Sequence, residues 1–223
     1  MLDPLACDAL LFDLDGTLLD SDDQAVEALA RRMASLGWGD GQRAARRLVM
    51  ALETPANGLM TALDALGLDE PLVGLSNQLC RWRGLCTRAN FRLVPGTDEA
   101  LHRLADRYRL AVVTTRGQRD AAAFLDRFGL AELFDDVVTR ESTRRLKPHP
   151  APVLHAAQSL GLPAGRCAMV GDTTVDVRSA RRAGAWAVAV LCGFGERDEL
   201  QRAGAHLILP SPADLPAALL GPH

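Results

Sequence analysis

Residues 9–20 decide the fold, and they are Ala-Leu-Leu-Phe-Asp-Leu-Asp-Gly-Thr-Leu-Leu-Asp. The apolar run ends in two carboxylates, Asp13 and Asp15, followed at once by Gly16 and Thr17. Such a run is typical of a strand buried on both faces of a parallel sheet, although the pattern alone also fits a buried helix. At a strand end, alternate side chains such as Asp13 and Asp15 share one direction. Carboxylates that close favour a shared proton or a bound cation, and oxygen ligands favour Mg²⁺.

Composition excludes several classes of protein. The chain has 223 residues, long enough for a sizeable core, and its formal net charge of -3 with no long basic tract gives no support for nucleic-acid binding. Its first apolar run is too short to span a bilayer, which predicts no membrane partner. An odd number of cysteines without Cys-x-x-Cys spacing is typical of free thiols in a reducing cytoplasm. The histidines are scattered, so we expect no zinc site.

The pattern of the chain changes near residue 92. Segment 21–91 has helical periodicity interrupted by turn signals, whereas from Arg92 onward short apolar runs alternate with amphipathic stretches. The second pattern is typical of a parallel α/β sheet. We therefore predict an α/β fold with a doubly wound, Rossmann-like parallel sheet formed by residues 1–20 and 92–223. Residues 21–91 would form an inserted helical domain that can act as a lid over the carboxyl ends of the strands.

The predicted elements of the sheet domain follow from the same patterns. Besides the strand at Leu10, the apolar runs predict strands at Leu110–Val113, Asp136–Val138, Cys167–Val170, Ala185–Val190 and Leu207–Leu209. Turn and capping signals predict helices over 97–108, from about 118, from about 151 and from Ser211 onward.

Polar residues directly follow two of these predicted strands. Thr114, Thr115 and Arg116 come directly after one strand, where a hydroxyl and backbone donors suit a phosphate oxygen, although such a turn alone is typical of a helix cap. Asp172 and Asp176 follow another strand, and their four-residue spacing at a helix start places both acids on one side.

Lys147 is the only lysine in the chain, whereas the other 24 basic residues are arginine. Composition bias alone could explain a single lysine. It lies between Leu146 and Pro148, just before a predicted helix, and an ammonium is a compact point charge that a planar guanidinium does not replace.

These motifs resemble those of the haloacid dehalogenase-like hydrolase superfamily, in the superfamily's order. The first is the apolar strand followed by Asp-x-Asp-Gly-Thr at Asp13, and the others match at Thr114, at Lys147 and at Asp172 with Asp176. The resemblance covers nearly the whole predicted sheet domain. It implies that segment 21–91 is the helical cap of this superfamily.

The resemblance also implies roles for these residues. Asp13 would be the nucleophile that forms an aspartyl-phosphate, and Asp15 the general acid and base. Mg²⁺ would be held by the Asp13 carboxylate, the Asp15 backbone carbonyl and Asp172, with Asp176 supporting the metal shell. Thr114 and Lys147 would hold the phosphoryl group. Thr115 and Arg116 are further candidates for substrate binding.

Three related reactions conflict with individual residues. Haloacid dehalogenases lack the second aspartate, so Asp15 argues against dehalogenation. Phosphonoacetaldehyde hydrolases use a cap lysine, and hexose-phosphate mutases use cap histidine and lysine, but segment 21–93 contains neither residue type. We therefore expect a Mg²⁺-dependent phosphatase acting on a small phosphorylated metabolite.

Among hydrolases, the chain most resembles the phosphoglycolate phosphatase-like group. The resemblance rests on the cap position, on Asp20-Ser21 and on the Gly193-Phe194-Gly195 turn, and it favours a phosphoglycolate-like or sugar-phosphate substrate. Residues 53–58 depart from the group's usual pattern, which leaves the substrate open. A pyrophosphatase, a nucleotidase and a non-catalytic phosphate-binding regulatory protein remain alternatives. The sequence does not indicate an oligomeric state.

Overall fold

The computed structural model describes residues 6–20 and 91–221, which lie in one compact unit. Within them, six parallel strands form one sheet in the order β3-β2-β1-β4-β5-β6. The strands are β1 (Ala9–Phe12), β2 (Arg109–Val113), β3 (Asp136–Val138), β4 (Cys167–Gly171), β5 (Trp186–Val190) and β6 (Leu207–Leu209). The predicted α/β, Rossmann-like fold class is confirmed.

Helices connect these strands and cover the sheet. The α-helices, numbered among the described residues, are α1 (Thr97–Ala105), α2 (Gln118–Phe128), α3 (Ala151–Ser159), α4 (Thr174–Ala183), α5 (Arg197–Ala203) and α6 (Leu215–Leu219). Short 3₁₀ turns occur at Ala131–Leu133, Ala164–Arg166 and Pro212–Asp214.

Strand β1 shows why the sheet is buried on both faces. All four of its residues are buried, and they alternate between two hydrophobic cores. Leu10 and Phe12 face the core that includes residues of α1, α2 and α6. Ala9 and Leu11 face the core that includes residues of α3, α4 and α5. Because side chains alternate along a strand, a continuous apolar run is what a sheet covered on both faces requires.

The strand order places β1 at the point where the chain changes direction across the sheet. After β1, the strands β2 and β3 are added on one side, and β4 to β6 are added on the other. Phe12 is in register with Val112 of β2 and Val170 of β4, so these three strands end at the same level. The crevice beside such a topological switch point is where open α/β sheets bind ligands.

Strand β1 and helix α1 both end earlier than the sequence predicts, whereas β2, β4 and β5 each differ from the prediction by one residue at one end. Strand β1 ends at Phe12, so Asp13 and Asp15 lie just beyond the strand and not at its last positions, although the Asp13 backbone still donates to the Val170 carbonyl over 2.9 Å. Helix α1 ends at Ala105 and not at residue 108. The Leu104 carbonyl accepts from the backbone N–H groups of Arg107 and Tyr108, a turn that leads the chain into β2.

The chain leaves and re-enters this unit at one place. The Asp20 backbone N–H donates to the Arg92 carbonyl over 2.9 Å, and Leu19 forms an antiparallel bridge with Leu93. The predicted helical insert at 21–91 lies outside the described residues except for Phe91. That residue is buried in the core of the sheet unit, where its ring lies 5.7 Å from that of Phe124. In the part of the chain that the structure describes, no helix is long and apolar enough to cross a bilayer.

Candidate active site

Asp13 and Lys147 form the centre of a charged group at the carboxyl ends of β1, β2 and β4. Lys147 Nζ lies 2.8 Å from Asp13 Oδ1 and 2.7 Å from Asp176 Oδ1, and it donates to the Val113 carbonyl over 2.8 Å. The Lys147 side chain is only 3% exposed. Two short ion-pair contacts and one hydrogen bond therefore hold the ammonium between the two carboxylates.

The pKa values of this group follow from burial and from the imbalance of charge. Burial raises the pKa of Asp13 to about 7, and the Lys147 ammonium only partly opposes that rise. Burial on its own would lower the pKa of Lys147, but the facing carboxylates of Asp13 and Asp176 raise it above its usual range. Lys147 is therefore the cation of the group, and the negative charge beside it exceeds what one ammonium neutralises.

Asp172 is held by the loop that follows β5 and by the turn that follows β1. Its Oδ2 accepts from the Phe194 backbone N–H over 2.8 Å, and its Oδ1 accepts from the Thr17 hydroxyl over 3.2 Å. A Cβ atom on Gly193 would lie 2.1 Å from Asp172 Oδ2, and one on Gly16 would lie 2.3 Å from the same atom. The side chain of Asp172 thus fits only because both neighbours are glycine.

Asp176 is fixed by the start of α4. The backbone N–H of Thr173, the N-cap residue, donates to Asp176 Oδ2 over 3.1 Å, and the Asp176 backbone N–H donates to the Thr173 hydroxyl oxygen over 3.4 Å. This reciprocal capping box satisfies donors that a helix start leaves open. The other oxygen, Oδ1, is the atom that faces Lys147.

These elements bring three buried carboxylates together. One oxygen each from Asp13, Asp172 and Asp176 lies within 4.8 Å of the others. Carboxylate oxygens are the donors that Mg²⁺ prefers, and the excess negative charge beside Lys147 suits a divalent cation. The residues present therefore fit a bound Mg²⁺. The Asp15 side chain is not in this group.

Asp15 is paired instead with Arg116, from the loop after β2. Arg116 Nε donates to Asp15 Oδ2 over 2.7 Å, and Nη2 donates to Asp15 Oδ1 over 2.5 Å. The Arg116 backbone N–H donates to the Thr114 hydroxyl oxygen over 3.1 Å. Thr114 is buried and Thr115 is exposed. A bidentate pair of this kind fixes the direction of a carboxylate as well as its charge.

The structure places the predicted site residues at one edge of the sheet, but in two groups. Asp13, Lys147, Asp172 and Asp176 form the buried group, and Asp15 with Arg116 forms a second, partly exposed pair. Sequence reasoning missed the loop at Gly193 and Phe194 as a partner of Asp172. The Gly-Phe-Gly pattern after a buried strand was the available signal, since closely spaced glycines indicate near approach of the backbone to another group.

The chain matches one family model over most of its length. Residues 10–190 match the model of the haloacid dehalogenase-like hydrolases. The chain belongs to this family. The chain is therefore an enzyme of a hydrolase family, and the resemblance predicted from its motifs is confirmed.

The relatives of the chain include phosphatases that are named for different substrates. The chain is 32% identical to the plasmid phosphoglycolate phosphatase of Cupriavidus necator, over 96% of this chain and 94% of the relative. It is 33% identical to the N-acetylmuramic acid 6-phosphate phosphatase of Pseudomonas aeruginosa, over 93% of this chain and 92% of the relative. Among solved structures, a hydrolase from Pseudomonas syringae is 28% identical with a TM-score of 0.67, over 93% of this chain and 95% of that one.

Proposed function

We propose that this enzyme is a Mg²⁺-dependent phosphatase that hydrolyses a small phosphomonoester through an aspartyl-phosphate on Asp13. The observation that carries the proposal is the buried group of Asp13, Lys147, Asp172 and Asp176. This group lies at the carboxyl end of the sheet, where Thr114 directly follows β2. A carboxylate nucleophile needs cations to bring a phosphate dianion close to it. Lys147 supplies one, and the three carboxylates suit a second.

The first half of the proposed reaction transfers the phosphoryl group to the enzyme. An Asp13 carboxylate oxygen forms a bond to phosphorus as the bond between phosphorus and the ester oxygen breaks. Asp15 gives a proton to the departing oxygen, a contribution of about 10²–10⁴ in rate. Lys147 and the Thr114 hydroxyl hold the phosphoryl oxygens, with Thr115 and Arg116 as further candidates for substrate contact.

The second half returns the enzyme to its starting state. Asp15 takes a proton from a water molecule, whose oxygen bonds to phosphorus while the bond from phosphorus to Asp13 breaks. The products are inorganic phosphate and free Asp13. When held by the Asp13 carboxylate, the Asp15 backbone carbonyl and Asp172, with Asp176 supporting the metal shell, Mg²⁺ would neutralise charge on the phosphoryl oxygens as a Lewis acid.

The proposal also covers the cap, the substrate and the cellular compartment. Residues 21–91, or 21–90 if buried Phe91 is assigned to the core, form the helical cap that encloses the substrate. The partner is a small phosphorylated metabolite, for which the names of the relatives support both a phosphoglycolate-like and a sugar-phosphate substrate. Free thiols at Cys7 and Cys167, both buried, support a reducing compartment such as the cytoplasm.

Phosphate release tests the proposal. The panel is p-nitrophenyl phosphate, phosphoglycolate, sugar phosphates, nucleotides and pyrophosphate, each assayed with Mg²⁺ and with EDTA. We expect Mg²⁺-dependent release from a small monoester. Preference for nucleotides or pyrophosphate would support the alternative activities on the same site. No release from any member by folded protein would favour a non-catalytic phosphate-binding protein, and equal activity in excess chelator would contradict the metal role.

A further inference from the structure

Arg116 donates to both carboxylate oxygens of Asp15, and both side chains are partly exposed. The two bonds measure 2.7 and 2.5 Å, and the side chains of Arg116 and Asp15 are 20% and 34% exposed. Lys147, in contrast, is 3% exposed and lies deep in the group around Asp13. Arg116 is therefore more accessible than Lys147 to the part of a substrate that lies outside its phosphate group.

The guanidinium of Arg116 is positioned by more than Asp15. It lies over the ring of Phe91, 5.7 Å from the ring centroid, and this cation–π contact is a second interaction of the guanidinium. The backbone of Arg116 is tied at both polar atoms, since its N–H donates to Thr114 and its carbonyl accepts from the Arg140 N–H over 3.2 Å. None of these contacts involves Asp15, so they can persist when Asp15 turns away.

As a general acid, Asp15 must carry a proton on one oxygen, and a protonated oxygen no longer offers Arg116 a charge-assisted acceptor. If Asp15 acts as proposed above, at least one of the two bonds must open, and the guanidinium N–H group that donated to that Asp15 oxygen can then donate to another acceptor. The planar fork of arginine fits a carboxylate in the same bidentate way. The carboxylate of a substrate can therefore take the place of the Asp15 carboxylate on Arg116, so that one bidentate ion pair replaces another.

We propose that Arg116 is a specificity-determining residue that binds a carboxylate of the substrate in exchange for Asp15. The inference rests on the proposed phosphatase function. Asp15 must contact the ester oxygen, and Arg116 contacts Asp15, so the recognised carboxylate lies on the carbon next to the ester oxygen. The substrate class is thus phosphate esters of 2-hydroxy acids. Esters without this carboxylate must open the Arg116–Asp15 pair with nothing in return.

Paired substrates and variants test this assignment. The substrates are 2-phosphoglycolate and ethyl phosphate, in which a methyl group replaces the carboxylate, and the variants are Arg116→Gln and Arg116→Lys. Arg119→Gln, an exposed arginine three positions further on, is the matched control. In the wild type, we expect kcat/KM to favour phosphoglycolate by about 10- to 100-fold, the range of one charge-assisted pair. Arg116→Gln should abolish this preference through KM, Arg116→Lys should keep part of it, and Arg119→Gln should keep all of it.

Two results would overturn the assignment while leaving the phosphatase proposal intact. One is a wild-type enzyme that hydrolyses both esters without preference. The other is an equal loss on both esters in Arg116→Gln, which would mean that Arg116 only positions Asp15. Thermal melting checks that each variant is folded.

A binding arm separates the two proposals. If the wild type releases no phosphate from either ester, the phosphatase proposal fails, and titration calorimetry of the wild type with each ester still tests Arg116. Tighter binding of phosphoglycolate that Arg116→Gln removes supports the carboxylate site. Equal binding of both esters, or no binding, overturns it.

Discussion

At the scale of single residues, the site is dominated by the burial of like charges. Asp13 is 7% exposed, and Asp172 and Asp176 are almost fully buried. Such groups are costly to bury without compensation, and active sites are where proteins accept that cost. Burial is the main reason that the pKa of Asp13 is raised, and the nearby carboxylates of Asp176 and Asp15 add to the rise.

Replacing Asp13 by asparagine is expected to stabilise the chelator-treated protein at about pH 8. Burial raises the pKa of Asp13 from 3.8 to about 7, so its contribution to stability is full below about pH 4 and is lost as the pH rises to about 7. Asparagine has no such loss. Asp13→Asn should therefore melt higher than the wild type at about pH 8, and the difference should shrink at about pH 5.

Thermal melts of both proteins in EDTA at the two pH values provide the measurement. The prediction is wrong if Asp13→Asn melts below the wild type at both pH values, because the carboxylate would then be a net stabilising partner of Lys147.

Single residues show most clearly which features of the site the sequence predicts and which it does not. Asp13, Asp172 and Asp176 are predictable because each follows an apolar run, and parallel strands bring such ends to one edge. Lys147 stands out as the only lysine, and the resemblance to the family's motifs is what joins it to the other three. The Arg116–Asp15 pair joins residues 101 positions apart, and the Thr17–Asp172 bond joins residues 155 positions apart. Local periodicity carries no signal for pairs between loops, so neither contact could be predicted.

At the scale of elements, the loop after β5 fixes Asp172, one of the three clustered carboxylates. The backbone of Phe194 donates to the Asp172 side chain, and the Gly195 N–H donates to the Asp172 carbonyl over 3.0 Å. The sequence predicted the strand but not this role of its following loop. Strand bounds follow from apolar runs, whereas the path of a loop depends on which groups of another element it must satisfy.

Gly193→Ala is expected to weaken Mg²⁺ binding. Its Cβ would lie 2.1 Å from Asp172 Oδ2 and 2.5 Å from the Gly16 carbonyl oxygen, so the carboxylate must move. Displacing a group that orients a metal ligand typically costs about 10- to 100-fold in metal affinity. Titration calorimetry with Mg²⁺ measures the effect.

Gly165→Ala is the matched control, because a Cβ there meets only the Gly184 carbonyl oxygen, at 3.7 Å. This control should bind Mg²⁺ as the wild type does. Equal affinity in Gly193→Ala and Gly165→Ala would contradict the role assigned to the loop.

At the scale of the whole molecule, the described unit closes on itself where the chain leaves it. Leu19 and Leu93 pair, and Asp20 and Arg92 are joined by a backbone hydrogen bond. Chain ends this close are typical of sites that accept an inserted domain. The doubly wound parallel sheet is predictable because most of its strands are distinct apolar runs alternating with amphipathic helices.

Replacing residues 22–90 by a short Gly-Ser linker is expected to leave a folded sheet unit. The hydrogen bond between Asp20 and Arg92 spans 2.9 Å, so a short loop can join the two strands. Phe91 is kept because it packs on Phe124. Circular dichroism should show a single cooperative thermal transition. A broad, non-cooperative melt would contradict the assignment of 1–20 and 92–223 as a self-contained domain.

The measurement that tests the central claim most directly is the detection of a phosphoryl group on Asp13. Asp15→Asn with p-nitrophenyl phosphate and Mg²⁺ suits this experiment, since nitrophenolate departs without a general acid while hydrolysis of the intermediate lacks its base. After an acid quench, peptide mass spectrometry should find one phosphoryl group on the peptide that contains Asp13, and none in EDTA. A phosphoryl group on another residue, or sustained turnover by Asp13→Asn, would contradict the account.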